Sequence, residues 1–124
     1  MITVEPFKFI STTERGTTHT FDSPRTGNFI FGTRKAGSIN GSHYHKGIEP
    51  LKDPELFYLF TGKGLVRLLN VLTQERKEIE VEGPCRITFP KNIWHELEAL
   101  TDISFMECNS LEQHARDTFR LDEG

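Results

Sequence analysis

Apolar residues along this chain fall into short runs, some alternating with polar residues and some continuous, each closed by glycine, proline or asparagine. Such runs read as strands, because successive side chains of a strand point to opposite faces. The pattern predicts strands at Lys8–Ile10, Gly27–Arg34, Gly41–His45, Glu55–Phe60, Gly64–Leu72, Glu75–Val81, Cys85–Phe89, His95–Ala99 and Ile103–Cys108. Turn residues separate them at Ser23-Pro24, Lys35-Ala36-Gly37, Thr61-Gly62-Lys63-Gly64, Glu82-Gly83-Pro84 and Pro90-Lys91-Asn92. A strand and a turn about every ten residues indicate an all-β sandwich or barrel. From Ser110 onward Glu, Gln, Arg and Asp dominate, which predicts a short helix or an irregular strap. The first 26 residues are Thr-rich and are expected to add a strand that pairs with the barrel or with a second subunit.

Composition narrows this picture. At 124 residues the chain is expected to form one domain, with an arm over 1–26, a barrel core over 27–108 and a tail over 109–124. Ten Phe against one Trp and two Tyr make the expected interior Phe-rich. A net charge of −3 and a pI near 5.9 argue against nucleic acid or an anionic membrane as a partner. Cys85 and Cys108 both fall in expected strands, and a reduced, buried pair fits a cytoplasmic protein. Met1 to Ile10 lacks the uninterrupted apolar core of a signal peptide, and no apolar stretch approaches membrane-spanning length.

The candidate chemistry lies in His43-x-His45, in Glu55 at the head of an apolar run, and in His95 after a proline turn. Residues i and i+2 of a strand share a face, so His43 and His45 can reach one ion together. Glu55 and His95 would come from neighbouring strands. Three imidazoles and a carboxylate form a four-ligand set for a divalent transition metal, with zinc, iron, manganese and nickel all compatible. An octahedral ion so held keeps two cis positions open for substrate or dioxygen. Asn40, Ser42 and Thr88 are candidates for orienting the second ring nitrogens.

These residues resemble the two motifs of the cupin superfamily, G-x5-H-x-H-x3–4-E-x6-G and G-x5-P-x-G-x2-H-x3-N. Gly37, His43, His45, Glu55 and Gly62 match the first, and Gly83, Pro90 and His95 match the second. Nine residues separate His45 from Glu55, so Lys46 to Pro54 reads as an insertion, expected to be a lid or rim that its two prolines keep out of any central strand. Glu49 stands at the unextended spacing as the rival ligand; Glu55 is preferred because its distance to Gly62 is the family's. Six residues rather than five separate Gly83 from Pro90, and Ala99 replaces the motif's Asn. Asn92 replaces the turn glycine, a position Asn tolerates because it visits the left-handed region. The resemblance implies a small cupin, a double-stranded β-helix or jelly-roll barrel, and the likeness to dimeric cupins implies a homodimer.

Within that superfamily, Glu14-Arg15-Gly16 resembles the D-x-R-G opening of sugar-nucleotide cupins. Gly62-Lys63-Gly64-Leu65 and Asn109 to Phe119 resemble the C-terminal cupin domain of capsular-polysaccharide reductase/epimerases. The implied activity is a metal-assisted isomerase or epimerase acting on a sugar or sugar nucleotide. A non-haem iron oxygenase and a non-enzymatic ligand binder are the other two classes the ligand set allows. Tyr44, Glu49 and Tyr58 are the acid/base candidates closest in sequence to the ligands, although both tyrosines alternate away from the ligand face. Arg34, Lys35, Lys46 and Arg67 are candidates for holding a phosphate or carboxylate.

Overall fold

A computed structural model of the chain describes residues 1–122. It contains β1 (Thr3–Pro6), β2 (Lys8–Thr13), β3 (Gly16–Thr20), β4 (Ile30–Arg34), β5 (Ile39–His43) and β6 (Glu55–Thr61). These are followed by β7 (Lys63–Asn70), β8 (Arg76–Glu82), β9 (Cys85–Phe89), β10 (Ile93–Ala99), β11 (Ile103–Glu107) and the helix α1 (Leu111–Arg116). A five-stranded sheet of order β1-β9-β6-β11-β4 faces a four-stranded sheet of order β5-β10-β7-β8, and β2 and β3 form a separate hairpin. Every named pairing is antiparallel.

The core is made by side chains that alternate inward from both sheets. Along β10, Ile93, His95, Leu97 and Ala99 are buried, while Trp94, Glu96 and Glu98 between them are half-exposed. Opposite them Phe57, Leu59, Ile87, Ile103 and Phe105 fill the interior, with Phe57 stacked on Phe105 at 5.0 Å between centroids. Strand β6 is buried on both faces from Glu55 to Leu59, as its continuous apolar run requires. Its outer residues Leu56 and Tyr58 pack under Phe7 and Phe29, and Phe7 stacks on Phe21 at 4.4 Å.

The departures from expectation lie mainly at strand ends. The Thr-rich arm supplies three strands instead of one: β1 pairs with β9 at a sheet edge, and the β2–β3 hairpin stands almost wholly exposed. Strand β5 ends at His43, past a bulge at Gly41 (φ +86°) and Ser42 (φ +60°) that shifts its register against His95 and Glu96, and Tyr44 then pairs with Phe119. Strand β7 stops at Asn70, whose side-chain oxygen accepts from the backbone of Leu72 and Thr73. Both alternatives for the tail occur together. Ser110 and Gln113 form a capping box that starts α1, and Phe119 then returns as a strap paired with Tyr44. Residues 123 and 124 of the expected tail lie outside the described residues. Asn92 adopts φ +63° and fills the glycine position of the turn. Cys85 and Cys108 are buried and unpaired, and no helix among the described residues is long and apolar enough to cross a membrane.

Two motif glycines differ in what they do. Gly62 (φ +94°) closes the turn from β6 to β7, and a Cβ there would fall on the Asp102 carbonyl and on Thr101 and Ile103. Gly37 (φ +89°) meets open space. Gly37→Ala should therefore cost about 1–2 kcal/mol of backbone strain. Gly62→Ala should cost about 1–3 kcal/mol more through overpacking. Urea denaturation of both variants measures the difference, and equal losses would show that the close approach at Gly62 relaxes freely.

Candidate metal centre

The four sequence-predicted ligands come together across both sheets. His43 ends β5, His95 lies opposite it on β10, and Glu55 opens β6 in the facing sheet. His45 lies two residues beyond His43 on extended chain, fixed because Tyr44 exchanges both backbone hydrogen bonds with Phe119 at 2.9 Å. One ligand atom from each of His43, His45, Glu55 and His95 lies within 4.8 Å of the others, a spread that one ion can bridge. His45 and Glu55 are almost completely buried.

The donor chemistry of the cluster fits a cation. His45 Nδ1 lies 2.5 Å from the Asp117 carbonyl and His95 Nδ1 lies 3.1 Å from the Ile93 carbonyl. A carbonyl oxygen can only accept, so each Nδ1 donates, and a neutral ring then keeps its lone pair on Nε2. Those two Nε2 atoms lie 2.9 and 3.2 Å from the same oxygen, Glu55 Oε2. Two nitrogen lone pairs directed at a carboxylate oxygen are completed by a positive charge among them. His43 is held neutral: burial first, then the neighbouring His95, lowers its pKa to about 2. Backbone carbonyls therefore orient His45 and His95, in place of the expected Asn40, Ser42 and Thr88. Ser42 instead donates to Glu96, and Asn40 bonds Arg34, Ser38 and Leu97.

Behind the cluster lies a buried cation the sequence did not reveal. Lys52 is fully buried, with Nζ 3.1 Å from Glu55 Oε1 and 3.7 Å from Glu107 Oε2. Burial works against the Glu55 carboxylate. Lys52 nonetheless holds its pKa well below the usual carboxylate range. The insertion that carries Lys52 is consequently part of the scaffold, which corrects its expected role as a lid or rim. The Asp117 carboxylate accepts from the backbone N–H groups of Lys46, Gly47 and Glu49, and Arg25 donates to the carbonyls of Leu51 and Pro54. A lysine in a proline-bounded loop ordinarily reads as solvated, so nothing in the pattern marked it.

A cavity of about 290 Å³ opens beside the ligands. Phe57, Phe89, Leu97, Ile103 and Phe105 make an apolar wall, Arg34 and Asn40 lie on its polar side, and Glu107 and His114 complete it. None of the three expected acid/base residues lines this space. Tyr44 packs beside Phe119, and Glu49 pairs with Arg116 at 3.2 Å outside the ligand cluster. Tyr58 lies on the outer face of β6, donating to the Asp22 carbonyl. Of the anion-holding candidates only Arg34 lines the cavity, its guanidinium 5.1 Å above the Phe105 ring. Lys46 caps the Phe119 ring, and Arg67 is engaged with Glu96 and Glu98. Glu107 had a detectable signal: it shares the inward period of Ile103 and Phe105 along β11.

Two outcomes follow from this geometry. His45→Ala should lower the metal content of the purified protein several-fold by elemental analysis, and equal content would remove the site from consideration. In metal-free protein the His43 pKa lies below its ordinary 6.5, so the unfolded chain binds the extra proton first as pH falls. Its contribution is complete above pH 6.5 and is lost progressively toward pH 2. Metal-free His43→Gln should show a shallower fall of Tm between neutral and mildly acid pH than wild type; parallel profiles would contradict that assignment.

No family model matches the chain, and no curated protein sequence does. Solved structures do. A mutant of the 3,4-ketoisomerase QdtA from Thermoanaerobacterium thermosaccharolyticum, solved with TDP-4-keto-6-deoxyglucose, gives a TM-score of 0.72 at 16% identity, covering 96% of this chain and 86% of that one. The dTDP-4-dehydrorhamnose 3,5-epimerase from Sulfolobus tokodaii gives 0.59 at 15% identity, over 83% and 74%. CapF, solved with 3-isopropenyl-tropolone, gives 0.60 at 24% identity, over 93% of this chain and 34% of CapF. Likeness at these identities is likeness of fold, and the chain has the cupin-type double-stranded β-helix.

Proposed function

We propose that the protein is a metal-assisted isomerase or epimerase acting on a sugar nucleotide. The observation that carries this reading is the convergence of three imidazoles and a carboxylate on the wall of a cavity with room for a small substrate. Under this reading His43, His45, Glu55 and His95 hold a divalent transition metal, which supplies Lewis-acid polarisation of a substrate carbonyl. Solved proteins of the same fold include a 3,4-ketoisomerase and a 3,5-epimerase of TDP sugars, which supports the substrate class.

The chain's own residues account for the rest. A cavity of about 290 Å³ is at the small end for ligand sites, so it takes the sugar ring and leaves the nucleotide outside. Arg34 is the cation best located to meet the diphosphate, because it lines the cavity while its side chain stays exposed. Phe57, Phe89 and Phe105 exclude water from the sugar's reacting carbons and strengthen every electrostatic contact made there.

Incubation in heavy water with a panel of nucleotide-linked ketosugars and free ketoses tests the reading. Deuterium should enter at one carbon next to a carbonyl, with no dioxygen consumed at an oxygen electrode. Dioxygen uptake by the iron-loaded protein without deuterium entry would turn the assignment to an oxygenase. Silence in both assays, with tight binding of a carboxylate, would make it a binding protein.

A further inference from the structure

We propose that Glu107 is the residue that takes the substrate's proton from carbon and returns it. The inference rests on the sugar-nucleotide reading above and assigns the base that reading lacks. Six ionisable side chains line the cavity: Arg34, His43, Glu55, His95, Glu107 and His114. Three of them belong to the ligand cluster, and a guanidinium cannot serve as a base. Glu107 and His114 remain, and the His114 ring packs 5.2 Å from His43 and 5.9 Å from His45.

Their placement separates their roles. Glu107 sits on β11 between β4 and β6, paired with Ile30 on one side and Phe57 on the other, so its backbone is held rigidly. Its carboxylate is 14% exposed and lies 3.7 Å from Lys52 Nζ, an ion-pair distance that leaves it free to accept a proton. His114 is carried by the short helix α1 and is twice as exposed, at 28%. Its Nδ1 is buried, has no hydrogen-bond partner and lies 3.9 Å from Glu107 Oε2. His114 thus belongs with the ligand cluster, and Glu107 is left as the base.

The electrostatic surroundings support the assignment. Lys52, Glu55, His45 and His114 are the charged or titratable groups acting on Glu107. Burial, then the negative charge of Glu55, raises the Glu107 pKa to about 7, where a carboxylate is basic enough to work near neutrality. Lys52 opposes that rise and keeps the two carboxylates apart, which makes it a positioning residue.

The step balances without an oxidant or reductant. The C–H bond next to the carbonyl breaks, its electron pair becomes the C–C π bond of an enediolate, and the carbonyl π pair moves to oxygen. The proton joins Glu107. Return to the same face of that carbon gives exchange with solvent hydrogen. Return to the neighbouring carbon, with the hydroxyl proton passing to the former carbonyl oxygen, gives the isomeric ketosugar.

Deuterium entry into TDP-4-keto-6-deoxyglucose and the rest of the panel is measured for wild type, Glu107→Gln and Glu107→Asp. Metal content and TDP affinity are recorded for each protein. Glu107→Gln should lose about 10²–10⁴-fold in exchange with metal content and TDP affinity unchanged. Exchange by Glu107→Gln within threefold of wild type would overturn the proposal and leave the sugar-nucleotide reading standing. Absence of exchange by wild type on every sugar would overturn both. If Glu107→Gln loses its metal or its fold, Glu107→Asp decides: exchange at the wild-type rate refutes the proposal, and a large loss with metal retained supports it.

Discussion

A negative charge buried between two sheets is the constraint around which this molecule is arranged. Glu55 is 1% exposed, and an ionised carboxylate in that position is costly unless it is paired and hydrogen-bonded. Its partners come from three places in the chain. Lys52 arrives from the insertion, His45 from the extended chain past β5, and His95 from the middle of β10. Since Glu55 belongs to the five-stranded sheet and His95 to the four-stranded one, the same contacts pin the sheets against each other. Removing Lys52 leaves the Glu55 carboxylate uncompensated, so the geometry of the cluster and the stability of the fold are coupled at this point.

That coupling explains the insertion and the tail. A shorter connection between His45 and Glu55 would have no residue to bring a cation behind the carboxylate. The longer loop brings one, and then needs its own backbone satisfied. Asp117 meets the N–H groups of Lys46, Gly47 and Glu49, while Arg25 meets the carbonyls of Leu51 and Pro54. The front of the site is therefore left to the apolar wall and to Glu107, His114 and Arg34. Lys52 stands behind the candidate ligands, and the cavity opens before them.

Most of the architecture was legible in the sequence because period and punctuation act locally. Alternation placed β10, the turn residues placed the gaps, and motif spacing chose Glu55 over Glu49, which pairs with Arg116 outside the ligand cluster. What escaped depends on contacts between distant segments. The Asp117 carbonyl orients His45 across 72 residues, and no local pattern announces a backbone acceptor. Tyr58 and Tyr44 were singled out for nearness in sequence, yet strand alternation already turned both away from the ligand face. The same alternation pointed Glu107 inward, so the period held more chemistry than proximity did.

The reach of Asp117 makes the tail a working part of the candidate site. His45 owes its orientation to a carbonyl 72 residues further on, and the loop beneath it is tied down by the same residue's carboxylate. The strands place the imidazole along the chain, and a segment outside both sheets aims it.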